Sequence, residues 1–199
     1  MIEAVRDIEV DLADLSFRLV GLCSELTDAV CGALAGNAAR VAAEGELADL
    51  LIVACPLQPE APSDPALLTM ARETGAAMAR RGSGRIVFLL SAIAAVPMRR
   101  HFDHSVAMAG LLAGMRGLAM QLGPDVLVNA VGAGAIEGSG EDLLAGDRLM
   151  LGHAGLGRPG TADDVANAVL FLCDPLNSYT TGQLLNVDGG WSVGYGRNF

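Results

Sequence analysis

Several side chains in the middle of the sequence have the residue types of proton-transfer chemistry. Ser91 offers a hydroxyl that can hold a substrate oxygen, and His104 offers an imidazole that titrates near neutrality. Asp103 precedes His104, so a serine hydrolase arrangement is one reading. No Gly-x-Ser-x-Gly elbow surrounds Ser91, and sequence neighbours make an awkward orienting pair, which weighs against it. His101, Asp103 and His104 could hold a metal, but no further ligand stands near them, and Asp103 equally suits the start of a helix. Arg99 and Arg100 form a cationic pair that could meet an anionic substrate or an acidic partner, or be simply solvated. One formal G-x-G-x-x-G occurs, Gly155-Leu-Gly157-Arg-Pro-Gly160. No strand precedes it and a proline interrupts it, so it reads as a loop rather than a phosphate cradle.

Composition excludes other chemistries. All 13 basic residues are arginine, and the absence of lysine removes Schiff-base catalysis and a P-loop lysine. The 23 acidic residues give a formal charge of −10, a surface that repels nucleic-acid backbones. Cys23, Cys31, Cys55 and Cys173 have neither C-x-x-C nor zinc spacing and read as reduced core residues. The N-terminus lacks the basic-then-apolar profile of a signal peptide, and the charge-free run Ile86–Met98 is too short to span a bilayer. The expectation is a cytoplasmic protein with no membrane partner, folded as a single domain over residues 1–199.

The elements that must position these groups alternate between strand and helix, the pattern of an α/β fold with a mostly parallel, doubly wound sheet. Asp49–Cys55, Arg85–Leu90, Val126–Val131 and Leu184–Asp188 read as strands. Glu25 to about Ala43 reads as a helix. A second helix starts at Asp64-Pro65 and stops at Gly82; a third runs from Ser105 to Leu122; a fourth is capped by Thr161 and ends near Asp174-Pro175. In the first 24 residues, Ile8, Val10 and Leu12 suggest one strand and Phe17, Leu19 and Gly21 another.

From His104 to Gly123 the only full charge is Arg116. A helix on one side of a sheet should have a polar outer face, and this one has none. It is either enclosed within its own domain or covered by another subunit. Gly110, Gly114 and Gly117 would let a second helix approach closely, and large exposed apolar patches are rare on monomers, so the interface is favoured.

Taken together, several stretches resemble the short-chain dehydrogenase/reductase family. Arg158–Leu172 looks like the helix before that family's last strand, and Thr181–Trp191 like its closing segment. Gly84–Ser91 resembles the strand that delivers the catalytic serine, and Leu122–Val131 the next helix end and strand. The resemblance covers roughly residues 46–191. It implies a Rossmann-like sheet, NAD(P)-dependent hydride transfer and dimers or tetramers. It also implies a tyrosine acid/base, a lysine four residues later that lowers the tyrosine pKa, a serine and an asparagine.

This sequence departs from that pattern. Ser91 keeps the serine, but His104 stands at the tyrosine position and Met108 at the lysine position, where a thioether supplies no cation. The strand that normally ends Asn-Asn-Ala-Gly ends Val53-Ala-Cys-Pro56. The usual Pro-Gly reads Ala133-Gly134, and the threonine that often follows aligns with Gly138. The Thr-Gly-x-x-x-Gly-x-Gly turn has no match in residues 1–45, so the chain is expected to bind no cofactor. The chain falls about fifty residues short of a usual member. The shortfall is expected mainly in the first β-α-β unit and between Pro56 and Arg85, an N-terminally reduced fold.

Three functions follow. The first is a non-catalytic subunit, with Ser91, His104 and Met108 vestigial. It would assemble with an active paralogue that holds NAD(P) in an alcohol or hydroxyacyl dehydrogenase complex, through the 104–123 helix and the 161–191 segment. The second is an atypical lyase, isomerase or dehydratase using His104 and Ser91. The third is a homo-oligomeric scaffold.

Overall fold

The computed structural model describes residues 10–59, 64–138, 143–146 and 148–194. Its main sheet has six parallel strands in the order β2-β1-β3-β4-β5-β8. They are β1 (Ser16–Gly21), β2 (Arg40–Val41), β3 (Leu50–Ala54), β4 (Gly84–Ser91), β5 (Val126–Ala133) and β8 (Leu184–Val187). The helices are α1 (Glu25–Gly36), α2 (Ala66–Arg81), α3 (Phe102–Leu122), α4 (Arg148–Leu151) and α5 (Ala162–Cys173). A small antiparallel pair, β6 (Ile136–Glu137) and β7 (Leu143–Ala145), sits after β5.

The apolar strand segments are buried on both faces, as continuous hydrophobic runs require in a parallel sheet. Alternate residues serve opposite cores. Leu50, Ile52, Val87 and Leu89 meet α1 and α5 on one side, with Leu26, Val30, Val169 and Leu172. Leu51, Val53, Ile86, Phe88 and Leu90 meet α2 and α3 on the other, with Met78, Leu112 and Met115. This two-sided core is the doubly wound α/β architecture that the alternating pattern predicts. Helix α3 has the length and hydropathy of a membrane span, and here it covers one side of the sheet.

Local signals explain most boundaries. Helix α5 begins in a capping box in which the Thr161 hydroxyl accepts from Asp164 N and the Asp164 carboxylate accepts from Thr161 N. Helix α2 starts one residue later than its proline suggests, with Asp64 Oδ1 accepting from Ala66 N at 2.8 Å. It ends at Gly82, whose φ of 87° is left-handed.

The N-terminal third differs from expectation in three ways. Helix α1 stops at Gly36 rather than near Ala43. Asn37 closes it with Nδ2 on the Ala33 carbonyl, and Ala38 turns left-handed at φ 69° to feed β2. The Val10–Leu12 segment is not a strand. Asp11 accepts from Ala13 N in a turn, and Leu12 is fully buried among α1 side chains. Ile8 lies outside the described residues. The first β-α-β unit, one of the two stretches where the shortfall is expected, is present in compressed form. β1 pairs with β2 at Ser16↔Arg40 and Phe17↔Val41, and β2 is only two residues long. The strand proposed at Phe17, Leu19 and Gly21 is β1 itself.

One glycine is indispensable to this compression. Gly21 has φ 103°, and a Cβ there would lie 2.1 Å from the Ala54 carbonyl oxygen. Gly21→Ala is expected to lower unfolding free energy by at least about 2 kcal/mol, measured by urea denaturation. A variant as stable as wild type would contradict the close approach.

Candidate functional site

The carboxyl ends of the sheet strands bring Gly21, Ala54, Ser91, Ala133 and Val187 to one edge, the crevice where open α/β sheets bind ligands. Between β1 and α1 only Leu22, Cys23 and Ser24 intervene. Leu22 N donates to the Ala54 carbonyl at 3.0 Å, drawing the turn onto the end of β3. Ser24 then caps α1. Its hydroxyl accepts from Thr27 N, while Ser24 N donates to Thr27 Oγ1 at 2.7 Å. Two of the backbone donors at this helix start, Ser24 N and Thr27 N, are therefore taken by the chain itself.

The cleft under this turn has a volume of about 30 Å³ and is lined by Leu22, Ser24, Thr27, Cys55, Gln58 and Leu89 among others. Burial alone pushes the Cys55 thiol up to about 12, so it stays protonated and unreactive. Gln58 Nε2 donates to the Leu143 carbonyl at 2.9 Å and ties the segment after β3 to β7.

Ser91 ends β4 in register with Ala133 and is 2% exposed. Its hydroxyl accepts from Ile93 N at 3.4 Å and caps the short 3-10 turn Ala92–Ala94. His104 lies in the first turn of α3 and is 7% exposed, with its Nε2 below the surface. Met108, one turn later, is 0% exposed and belongs to the apolar cluster with Ile93, Leu112 and Phe88. The lysine position thus points into the core. Ser105, beside His104, pins the loop before α3. Its hydroxyl accepts from Met98 N at 3.0 Å and donates to the His101 carbonyl at 2.8 Å.

Above Ser91, Trp191 and Met150 pack with Ala92 and Ala135, and Val96 and Met98 lean on the same cluster. This satellite core carries no periodic signal in the sequence, because its members come from separate loop segments and a four-residue helix. The Ser24-x-x-Thr27 cap is a local side-chain signal that the sequence carries without any glycine motif.

The glycine positions after β5 serve packing. A Cβ at Gly134 would lie 2.6 Å from Asp188 Cα, and one at Gly146 would lie 2.5 Å from the Gly134 oxygen. Gly138 follows β6. In the Gly155–Gly160 stretch, Leu156 N donates to the Gly189 carbonyl and Gly160 N to the Ala135 carbonyl. Asp164 places a carboxylate at the start of the following helix, where a phosphate would need to sit. Among the described residues no three His, Cys, Asp or Glu side chains come together as metal ligands. Arg99 and Arg100 are exposed in the loop before α3.

A family model described as enoyl-(acyl carrier protein) reductase matches residues 64–192, more than half of the chain. The 3-oxoacyl-[acyl-carrier-protein] reductase FabG of Aquifex aeolicus is 38% identical over 116 residues, covering 57% of this chain and 47% of that protein. Nodulation protein G of Rhizobium meliloti is 30% identical over 132 residues, covering 64% and 54%. The chain spans about half the length of the curated relatives it matches. Among solved structures, a 7α-hydroxysteroid dehydrogenase complexed with NADH and 7-oxo glycochenodeoxycholic acid superposes with a TM-score of 0.71 at 19% identity, covering 92% of this chain and 96% of that one. A short-chain type dehydrogenase/reductase from Mycobacterium ulcerans gives 0.69 at 21%, covering 95% and 94%. The matched segment contains β4, α3, β5, α5 and β8, and the sheet they build has the neighbours' fold: the chain belongs to the short-chain dehydrogenase/reductase family.

Proposed function

We propose that this chain is a non-catalytic member of its family. It holds no NAD(P) and assembles in the cytoplasm with a catalytically complete paralogue in an NAD(P)-dependent alcohol or hydroxyacyl dehydrogenase complex. The curated relatives are named as reductases of acyl-carrier-protein substrates, and the active partner would work on a related carbonyl. The observation that carries the reading is the β1–α1 turn. Three residues, a self-capped helix start and a 30 Å³ cleft do not fit a dinucleotide pyrophosphate. Met108 adds to it, because a buried thioether cannot hold a ribose or stabilise a phenolate.

The partner reading is supported by two glycines. Gly110 and Gly117 lie inside α3, where glycine costs about 1 kcal/mol relative to alanine. A Cβ at either position would meet nothing within 4 Å, whereas one at Gly114 would strike Leu68. Packing within the chain therefore accounts for Gly114 and leaves the other two for a partner. Phe102, Val106 and Met120 on the same helix are 71%, 57% and 87% exposed. At the far edge of the sheet, Leu185 on β8 and Phe171 on α5 are also exposed, in the 161–191 segment expected to meet a neighbour.

A second reading keeps chemistry at His104, an imidazole buried in the first turn of α3, which packs against the 3-10 turn that follows Ser91. It would make the chain a lyase, isomerase or dehydratase.

Four measurements test these readings. Calorimetric titration with NADH and NADPH should show no binding up to about millimolar concentration, and micromolar binding of either would overturn the proposal. Gly117→Ala should stabilise the isolated chain by about 1 kcal/mol while weakening its assembly with the paralogue; an unchanged assembly would remove the glycine argument. Met108→Lys should destabilise by about 3 kcal/mol or more, because a charge enters an apolar cluster without a counter-ion, whereas Met108→Leu should cost less than about 1.5 kcal/mol. Any lyase or isomerase turnover by the purified chain that His104→Ala abolishes would favour the second reading over the first.

A further inference from the structure

The partner reading leaves open what that partner is, and the distribution of charge bears on it. Residues 64–123, which build α2, β4 and α3, contain seven arginines and three acids, a net charge of +4. The remaining residues contain six arginines and twenty acids, a net charge of −14. The fold turns this imbalance along the chain into an imbalance between sides. Helices α1 and α5 cover one side of the sheet with Glu25, Asp28, Asp163 and Asp164 and no arginine. Helices α2 and α3 cover the other.

On the α2/α3 side the exposed charged residues include Arg72, Arg80, Arg99, Arg100 and Arg116, against Asp64, Glu73 and Asp103. None of these five arginines forms an ion pair among the described residues. Asp64 is already engaged in capping α2. Arg81 does not belong to this set, since it pairs with Asp49 and donates to the Leu47, Ala48 and Ser83 carbonyls. The same side carries the exposed Phe102, Val106 and Met120. It also carries a groove of about 270 Å³ between α2 and α3, lined by Leu68, Arg72, Gly117 and Gln121 among others.

We infer that the α2/α3 side docks a different protein whose matching helical surface is acidic, and does not pair with a second copy of this chain. Two copies related by a two-fold axis present the same net positive patch to each other, so the arginines of both copies would gather at one interface with fewer carboxylates to meet them. Like charges brought together at an interface oppose association, and this selects against the wrong partner. The apolar stripe drives burial, and the arginines decide which surface is accepted. Their planar guanidinium groups suit bidentate contact with carboxylates.

The inference rests on α3 being an interface. Its test reads particle mass and salt dependence, not nucleotide binding, so it can fail independently of the cofactor claim. A charge-reversed variant, Arg72→Glu, Arg99→Glu, Arg100→Glu and Arg116→Glu, supplies the acidic patch on an otherwise identical chain. Circular dichroism checks its fold, and the double variant Arg72→Glu, Arg116→Glu replaces it if it does not fold. By sedimentation at about 10 μM and low salt, wild type alone should be monomeric and its mixture with the variant should form a 1:1 pair. Raising salt to about 0.5 M should weaken that pair at least tenfold. A wild-type dimer that persists at high salt and is broken by Met120→Glu would overturn the inference. So would a mixture that stays monomeric, or growth of wild type alone into large assemblies by stacking its basic side on its acidic one.

Discussion

The Ala54 carbonyl oxygen leaves no space for a side chain at Gly21, and the crevice depends on that contact. Because β1 ends against β3, Leu22 N bonds Ala54 and the chain enters α1 after three residues. α1 then starts low over the strand ends and caps itself through Ser24 and Thr27. What remains beneath it is a cleft of about 30 Å³. A dinucleotide site needs the opposite arrangement, with backbone amides held open at a helix start. In the proposed function, the compression of this one turn is what changes a binding edge into a packed one.

The same substitution of packing for chemistry recurs across the crevice. Ser91 uses its hydroxyl to cap a 3-10 turn. Met108 fills the core beneath α3, and Trp191 with Met150 closes over Ala92. Gly134 and Gly146 let loops touch at backbone distance. Each of these contacts packs the fold around the carboxyl ends of the strands. α3 shows the reverse on its outer side, where two glycines and exposed apolar residues weaken the isolated chain. Stability is retained around the crevice and given up along a surface.

The legible part of the fold was the part whose signals are local. The runs around Leu50–Ala54 and Val126–Ala133 could be read as buried strands because they are apolar throughout. The Thr161 box and the left-handed Gly82 could be read because caps have defined side-chain chemistry. β2 was not legible: two exposed residues carry no period, and only their pairing with Ser16 and Phe17 makes them a strand. α1 was read too long because its alanines continue past Gly36, while Asn37 and Ala38 turn the backbone by hydrogen bonding and a positive φ. The positions of Ser91, His104 and Met108 came from motif spacing, but their burial came from tertiary packing that spacing does not encode. The contrast between the two sides of the sheet is of the same kind. The arginines are visible in the sequence, and only the fold gathers them on one layer.

The proposed function combines a retained sheet and retained subunit surfaces with the loss of the nucleotide edge. Native mass spectrometry of the complex purified from its own cells tests this most directly, because it counts subunits and nucleotides together. The account predicts a heteromer in which NAD(P) is bound once per partner subunit and never to this chain. A homomer of this chain carrying NAD(P), or a complex with a nucleotide for every subunit, would contradict it.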